Sequence, residues 1–231
     1  MKAALMQPYF FPYLGYFDLV ASSDVFVFYD DASFSKNSWY NRNRILSKNK
    51  EWEYVRVSVQ GSLLGTFVKE IRLNNKPGDL NRMNNLLQIY RRAPYYRDVI
   101  ALVNETFESS DELLASITIE SIKRSAAYIG LKCFFYRSSE LEYMRNQDAV
   151  GKVISVCKTV GATQYVNLPG GRELYNADVF FRHGLELSFT PTLDFTYPVS
   201  GFNFVPNLSI IDVLMWCAPQ SIRSYLASSR A

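Results

Sequence analysis

Two arginines and two asparagines occupy four consecutive positions, Asn41 to Arg44, shortly after a lysine and a tryptophan. An arginine guanidinium presents a planar fork of donors that fits a phosphate or a carboxylate, whereas a surface charge cluster offers nothing specific. Because Lys36 and Trp39 precede this run, cationic and aromatic side chains are concentrated in one segment. The pattern favours a pocket for an anionic ligand, and a solvated surface cluster is the alternative.

Two adjacent carboxylates, Asp30 and Asp31, stand just before this segment. Neighbouring side chains of an extended backbone point in different directions, so spacing alone does not make the pair an acid–base dyad. One of them could orient a hydroxyl or an amine of a substrate. The alternative interpretation is a pair of solvated loop acids.

A second candidate for anion binding is the run Gly170-Gly171-Arg172. Glycines let a backbone approach an anion closely, and an arginine stands beside them. A tight turn explains the glycines equally well, so both interpretations stay open. The usual phosphate-binding patterns, GxGxxG after the first strand and GxxxxGK[ST], do not occur in the sequence.

The chain has one histidine and three widely separated cysteines, Cys133, Cys157 and Cys217. Neither a metal-ligand spacing nor a disulfide framework follows from them, so no metal and no cofactor is predicted. His183 stands at the end of a predicted helix, where a positive charge is favoured, and we expect a structural role for it.

The elements that would position the polar segment form a βαβ unit. Ala3–Met6 and Val25–Tyr29 have the apolar runs of buried strands, and the helical spacing of Gly15–Ser23 lies between them. Two strands joined in this way are expected to be parallel. Since ligands bind at the carboxyl ends of strands in open parallel sheets, residues 30–44 are predicted to lie at a binding edge.

Strands and helices continue to alternate along the chain. We expect strands at Tyr54–Val59, Phe67–Leu73, Leu131–Tyr136, Gln164–Asn167 and Leu185–Phe189. We expect helices at Asp79–Arg92, Arg97–Glu108, Asp111–Ile129, Gln147–Val160 and Asn176–His183, with Gly130 as a C-cap. The sequence therefore predicts one α/β domain over residues 1–231, with a mostly parallel, Rossmann-like sheet and flanking helices.

Composition excludes several classes of protein. A hydrophobic fraction of 48% with 20% charged residues is typical of a folded globular chain rather than a disordered or membrane protein. The net charge of +3 is too small to demonstrate nucleic-acid binding, so no DNA partner is expected, and it is compatible with an anionic small ligand. We find no signal peptide or spanning segment, so we expect a cytoplasmic protein without membrane insertion.

Several segments of the sequence resemble motifs of the WbqC-like protein family. The opening motif runs from Met6 to Phe17, and it is followed by Phe28–Asp31 and Trp39–Arg44. Tyr90–Tyr96 resembles the middle of the family pattern, and Phe204–Leu214 resembles its last motif. The resemblance covers essentially the whole chain, and its opening motif is rich in rare residue types.

The resemblance implies a role in O-antigen or other surface-polysaccharide biosynthesis. Members of the family are encountered in the gene clusters for these polymers, and transfer of glycine or a similar acyl group to an amino sugar has been suggested for them. The implied activity is therefore an acyl or aminoacyl transferase, for example a glycyl transferase, acting on a nucleotide-linked amino sugar. The donor is left open, with aminoacyl-tRNA as one possibility, and so is a homo-oligomeric state.

Two other interpretations stand beside this one. The lack of an arranged nucleophile and base favours a non-catalytic protein that binds a nucleotide sugar or a partner enzyme of the same pathway. The order of elements is also distantly similar to the start of nucleotidyltransferase-like enzymes. However, their His-x-Gly-His signature is replaced here by Pro12-Tyr13-Leu14-Gly15-Tyr16, which disfavours adenylyl transfer.

Residue type and motif membership together give each candidate an expected role. Stacking on the base or the sugar is expected of Tyr9, Phe10, Tyr13 and Trp39. Pyrophosphate binding is expected of Arg42 and Arg44, and hydroxyl binding of Gln7, Asn41 and Asn43. Further ligand contacts are expected of Asp30, Asn207 and Ser209. The expected catalytic residues are a base that accepts the proton of the sugar amine, Asp31 or Asp212, and an oxyanion-stabilising cation, Lys36.

Overall fold

Five short apolar runs form a central sheet in which every pair of neighbouring strands is parallel. A computed structural model of the chain describes residues 1–35, 38–61 and 65–229. The strands of the chain are β1 (Lys2–Met6), β2 (Val25–Phe28), β3 (Arg42–Leu46), β4 (Trp52–Arg56), β5 (Phe134–Arg137), β6 (Gln164–Asn167) and β7 (Glu186–Phe189). The central sheet has the order β5-β2-β1-β6-β7, which confirms the predicted α/β fold with a Rossmann-like parallel sheet.

Helices cover both faces of this sheet. They are α1 (Leu14–Ala21), α2 (Lys76–Leu87), α3 (Tyr96–Thr106), α4 (Leu114–Ile129), α5 (Ala149–Thr159), α6 (Ala177–Arg182), α7 (Ile210–Trp216) and α8 (Pro219–Ser228). Gly130 ends α4 in the left-handed conformation with φ of 82°, as the predicted C-cap requires. The two last helices, α7 and α8, are not among those predicted from the sequence.

The strands of the central sheet are apolar on both faces because both faces are buried. Ala4, Phe26 and Phe28 pack into the larger core cluster together with α1, α4 and α7. Val25 and Val27, which point the other way, pack into a second cluster with α5 and α6. The same short strands therefore hold two cores together.

A second, two-stranded sheet pairs β3 with β4 in antiparallel fashion. Residues 42–44, where no strand was predicted, are thus part of one. The prediction of a strand at Phe67–Leu73 was wrong, because residues 68–70 form a 3₁₀ turn. That turn is fixed by the segment after β2, since Val68 and Lys69 donate their backbone N–H groups to the carbonyls of Ala32 and Asp30.

The order of the strands creates a switch point beside β1. From β1 the chain adds β2 and then β5 on one side, and it later crosses to add β6 and β7 on the other side. In open α/β sheets the crevice for a ligand forms outside the carboxyl ends of the strands at such a point.

No helix in the described part of the chain combines the length and the apolar character needed to cross a membrane.

Candidate functional site

A cleft of about 1060 Å³ opens at the carboxyl edge of the central sheet. Four of the five strands bring a residue to it: Gln7 follows β1, Tyr29 follows β2, Asn167 ends β6 and Thr190 follows β7. The cleft therefore spans the switch point between β1 and β6, where the fold predicts a ligand.

Three segments complete the walls of the cleft. The loop after β1 contributes tyrosine rings, and the first turn of α5 contributes Asp148 and Lys152. Residues 190–209, which contain no helix or strand, form the third wall and supply aromatic, proline and polar side chains. A structureless run of this length in a compact chain commonly serves a functional site.

The loop after β1 is ordered by hydrogen bonds of its own tyrosines. Tyr16 donates its hydroxyl to the carbonyl oxygen of Gln7 at 2.9 Å, and Tyr9 donates its hydroxyl to Gln7 Oε1 at 2.8 Å. The Tyr13 ring lies against Gly15, where a Cβ atom would come within 2.4 Å of Tyr13 Cε2. Only glycine at this position lets the ring lie across the start of α1.

Asn43 and Ser209 fix the backbone of the same loop through side-chain hydrogen bonds. Asn43, only 4% exposed, donates its Nδ2 to the carbonyls of Phe10 at 3.1 Å and Phe11 at 2.8 Å. Ser209 donates its hydroxyl to the Phe11 carbonyl at 2.8 Å. Phe11 has a φ of 41°, a left-handed conformation that disfavours a bulky residue and is maintained by these surroundings.

Arg44 forms a fixed cationic group on the cleft wall. Its Cζ lies 5.6 Å from the centroid of the Trp39 ring and 5.2 Å from that of Trp52. Its Nη2 donates to the carbonyl of Asn207 at 3.1 Å. Stacked rings and this hydrogen bond orient the guanidinium before any ligand binds.

The structure brings half of the described candidate residues together at the cleft. Those that line it are Gln7, Tyr9, Tyr13, Trp39, Asn43, Arg44 and Asn207. Those that do not line it are Phe10, Asp30, Asp31, Asn41, Arg42, Ser209 and Asp212. Lys36 lies outside the described residues. Phe10 is fully buried in the larger core cluster, so its ring presents no face to the cleft.

Asp30 and Asp31 anchor the segment that follows β5. Asp31 accepts hydrogen bonds from Arg145 Nε at 3.0 Å, from the Tyr143 hydroxyl at 2.9 Å and from the Ser138 hydroxyl. Asp30 accepts from the backbone N–H and the hydroxyl of Ser139, at 3.0 and 2.8 Å. Their oxygens therefore tie residues 138–145 to the end of β2.

Asp212 lies directly behind the cleft wall. It is 1% exposed and accepts hydrogen bonds from the hydroxyl of Tyr90 at 2.7 Å and from the hydroxyl of Tyr197. Burial raises the pKa of this carboxyl to about 6, and the two tyrosine hydroxyls act in the opposite direction. Tyr197 lines the cleft and Asp212 does not, so the Tyr197 hydroxyl is the link between this carboxyl group and the cleft.

Several residues of the lining were not expected from the sequence. They are mainly polar groups of α5 and of residues 190–209: Asp148, Lys152, Thr190, Thr192 and Asp194. The one local signal was the glycine pair Gly170-Gly171, considered above for an anion, and both glycines do line the cleft. The other groups come from distant parts of the chain and carry no shared motif.

The charged groups of the described lining have both signs. Arg44 and Lys152 are basic, while Asp148 and Asp194 are acidic. Asp148 is occupied as the N-cap of α5, since its Oδ1 accepts from the N–H of Gly151 at 2.7 Å. Asp194 is exposed. Such a lining suits a ligand that carries both a phosphate and an amine.

Fold and cleft together define an α/β protein with an open cleft at the switch point of a parallel sheet. The model of the WbqC-like protein family matches residues 7–224, and the chain belongs to this family. It is 25% identical over 218 residues to a Mycobacterium tuberculosis protein named as uncharacterized, with 92% of each chain covered. No solved structure matches the chain significantly.

Proposed function

We propose that the protein binds a nucleotide-linked amino sugar and transfers an acyl or aminoacyl group, such as glycyl, to the sugar amine. The reaction would belong to the biosynthesis of O-antigen or another surface polysaccharide. The observation that carries the proposal is the cleft at the switch point, which combines aromatic faces, an oriented guanidinium and an exposed carboxylate.

Binding of the nucleotide sugar is supported by the loop after β1 and by Arg44. The rings of Tyr9, Tyr13 and Trp39 line the cleft and can stack on a base or pack against a sugar ring. Arg44, held between two indoles, presents donors to a diphosphate. Gln7 lines the same wall and adds an amide group for hydroxyls, whereas the Asn43 amide is already bound to the carbonyls of Phe10 and Phe11.

Transfer requires a neutral amine and therefore a base. The amine nitrogen attacks the carbonyl carbon of the donor, the new C–N bond forms, and the leaving group departs with the electron pair of its broken bond. The base accepts the proton that the nitrogen loses. Asp31 and Asp212 do not line the cleft, and the exposed carboxylates of its described lining are Asp148 and Asp194. Asp148 caps α5, so Asp194 takes this role in the proposal.

A non-catalytic nucleotide-sugar-binding protein is the second candidate function. The observation that favours it is the saturation of Asp31 and Asp212, whose oxygens are held by hydroxyl and guanidinium donors. On this hypothesis Asp194 binds the sugar amine without accepting its proton.

Equilibrium dialysis with uridine and thymidine diphosphate amino sugars, followed by mass spectrometry with candidate donors, tests both hypotheses. We expect Arg44→Gln to weaken binding, Asp194→Asn to abolish product formation, and the distant Arg182→Gln control to change neither. Binding without product from every donor would support the second candidate. Failure of all nucleotide sugars to bind would contradict both.

A further inference from the structure

The β3–β4 sheet carries arginine and aromatic side chains on one face. Arg42 pairs with Arg56 and Arg44 pairs with Tyr54, and Trp52 lies two residues before Tyr54. Since alternate residues of a strand share a face, and paired residues do too, these five side chains point to the same side. Trp39, which precedes β3, lies beside Tyr54 and Arg44 of this group. We call these six residues, Trp39, Arg42, Arg44, Trp52, Tyr54 and Arg56, the aromatic–arginine face.

Within this face the guanidiniums lie over the rings. Arg42 Cζ is 4.6 Å and Arg56 Cζ is 5.9 Å from the centroid of the Tyr54 ring. The Tyr54 ring centroid is 5.0 Å from that of Trp52 and 6.5 Å from that of Trp39. Rings and guanidinium planes therefore form one continuous surface.

The aromatic–arginine face is more exposed than the opposite side of the sheet. On the opposite side of the sheet Asn43, Ile45 and Val55 are buried, with exposures of 4%, 0% and 0%. Arg56 is exposed, and Trp39 is 37% exposed.

Arg42, Arg44, Trp52 and Tyr54 are half-buried. Leu46 pairs with Trp52 on the same side and is 1% exposed, and Trp52 packs against the larger core cluster. A core role therefore explains the Trp52 end of this face and does not explain the end formed by Arg42, Tyr54 and Arg56.

Positive charge is concentrated in the same element. Residues 42–56 contain five basic and two acidic residues, so their net charge of +3 equals that of the whole chain. Glu53 pairs with Ile45 on the opposite side, and Glu51 belongs to the connecting turn. The six residues of the aromatic–arginine face include no acid.

We propose that this face binds single-stranded RNA. Exposed bases of a single strand stack on aromatic rings and guanidinium planes, while arginines neutralise the phosphates. A duplex keeps its bases stacked inside and offers no such contacts. Alternating rings and guanidiniums without acids thus fit an unpaired strand.

The position of the face gives the RNA a role in the proposed reaction. Trp39 and Arg44 belong both to the face and to the cleft lining, so a strand on the face can extend its end into the cleft. This role rests on the proposed function: an aminoacyl ester at the RNA terminus is the donor. The sugar amine forms the amide bond, the ester C–O bond breaks, and the ribose oxygen keeps the electron pair and gains a proton.

Fluorescence anisotropy with a labelled single-stranded RNA of about ten nucleotides tests the inference. We expect Tyr54→Ala to weaken binding by about tenfold, the loss typical of one stacked base. Arg56→Gln should reduce the slope of log affinity against log salt by about 0.7, the value for one phosphate on a single strand. Arg182→Gln, which removes one charge from an exposed position on α6, is the matched control and should change neither.

Tyr54 and Arg56 do not line the cleft, so both variants should bind the nucleotide sugar as the native protein does. Circular dichroism would verify that Tyr54→Ala is folded. Equal binding of duplex RNA, or variants that bind RNA no more weakly than Arg182→Gln, would overturn the inference. Nucleotide-sugar binding without any RNA binding would also overturn it while leaving the proposed function standing.

Discussion

At the scale of single residues, the Asn43 amide links the β3–β4 sheet to the loop that forms the cleft wall. Replacing Asn43 by alanine leaves the buried carbonyl of Phe10 without its donor and removes one of two donors to Phe11. We expect a loss of roughly 2 to 4 kcal/mol in the free energy of unfolding, because buried unsatisfied polar groups are costly. Urea denaturation measures it. Asn49→Ala, at an exposed position of the β3–β4 turn, is the control and should change stability little.

Asp212 should give the protein a specific pH dependence. Burial raises its folded pKa from 3.8 to about 6, so between these values the folded state keeps a proton that the unfolded chain has lost. The stability contributed by this group is therefore present below about pH 4 and is lost as the pH rises to about 6. Relative to Asp212→Asn, we expect the free energy of unfolding of the native protein to fall by roughly 3 kcal/mol as the pH rises across this range.

Denaturation curves of both proteins at a series of pH values would show the difference. Parallel pH profiles for the native protein and Asp212→Asn would contradict the prediction.

The sequence predicts the residue types of the site better than their roles. Gln7, Tyr9 and Tyr13 reach the cleft because they follow β1, whose end could be foreseen. Arg44 reaches it from β3, a strand that was not predicted. Nothing local distinguishes Asp194 from Asp212. The partners that occupy Asp212 are 122 and 15 residues away, so only the folded chain shows that it is enclosed.

At the scale of elements, residues 190–209 form a cleft wall that contains no helix or strand. The Tyr197 hydroxyl fastens this wall to Asp212, and the Phe195 ring packs on Tyr225 with centroids 4.5 Å apart. We expect Tyr197→Phe to speed hydrogen exchange of backbone amides in residues 190–209, because the segment loses a charge-assisted hydrogen bond.

Mass spectrometry of deuterium uptake checks this prediction. Tyr225→Phe is the matched control, since it keeps the ring contact with Phe195. Faster exchange in the control, or none in Tyr197→Phe, would show that the hydroxyl does not fasten the wall.

Elements with a strong periodic pattern are those that the sequence predicts. Strand β6 was placed residue for residue, and α4 with its Gly130 cap was recognised from its apolar stripe. The wall at residues 190–209 could not be predicted, because irregular backbone has no period. The strand at residues 42–46 was missed for another reason. Charged and amide side chains are typical of loops, yet here the half-exposed Arg42 and Arg44 alternate with the buried Asn43 and Ile45.

At the scale of the whole molecule, two core clusters share the strands of one sheet. We therefore expect a single cooperative unfolding transition. Ile154→Ala lies in the smaller cluster and should cost about 2 to 5 kcal/mol by leaving a cavity. The tryptophans Trp39, Trp52 and Trp216 all lie outside that cluster. If unfolding is cooperative, their fluorescence should still report the same shifted denaturation midpoint as circular dichroism.

Lys158→Ala, exposed on the same helix, is the control for this variant and should leave the midpoint almost unchanged. Fluorescence and circular dichroism midpoints that separate in Ile154→Ala would show that the two clusters unfold independently.

The pairing of β1 with β6 determines the order in which the strands of the central sheet can come together during synthesis. Lys2 and Ala3 lie opposite Gln164 and Tyr165, so the middle of the sheet joins segments about 160 residues apart in sequence. On the ribosome, β1 can join β2 early, but its other edge must wait until β6 has been synthesised. Over that interval the unpaired edge of β1 is open to contact with other chains, and a chaperone would most benefit the protein then.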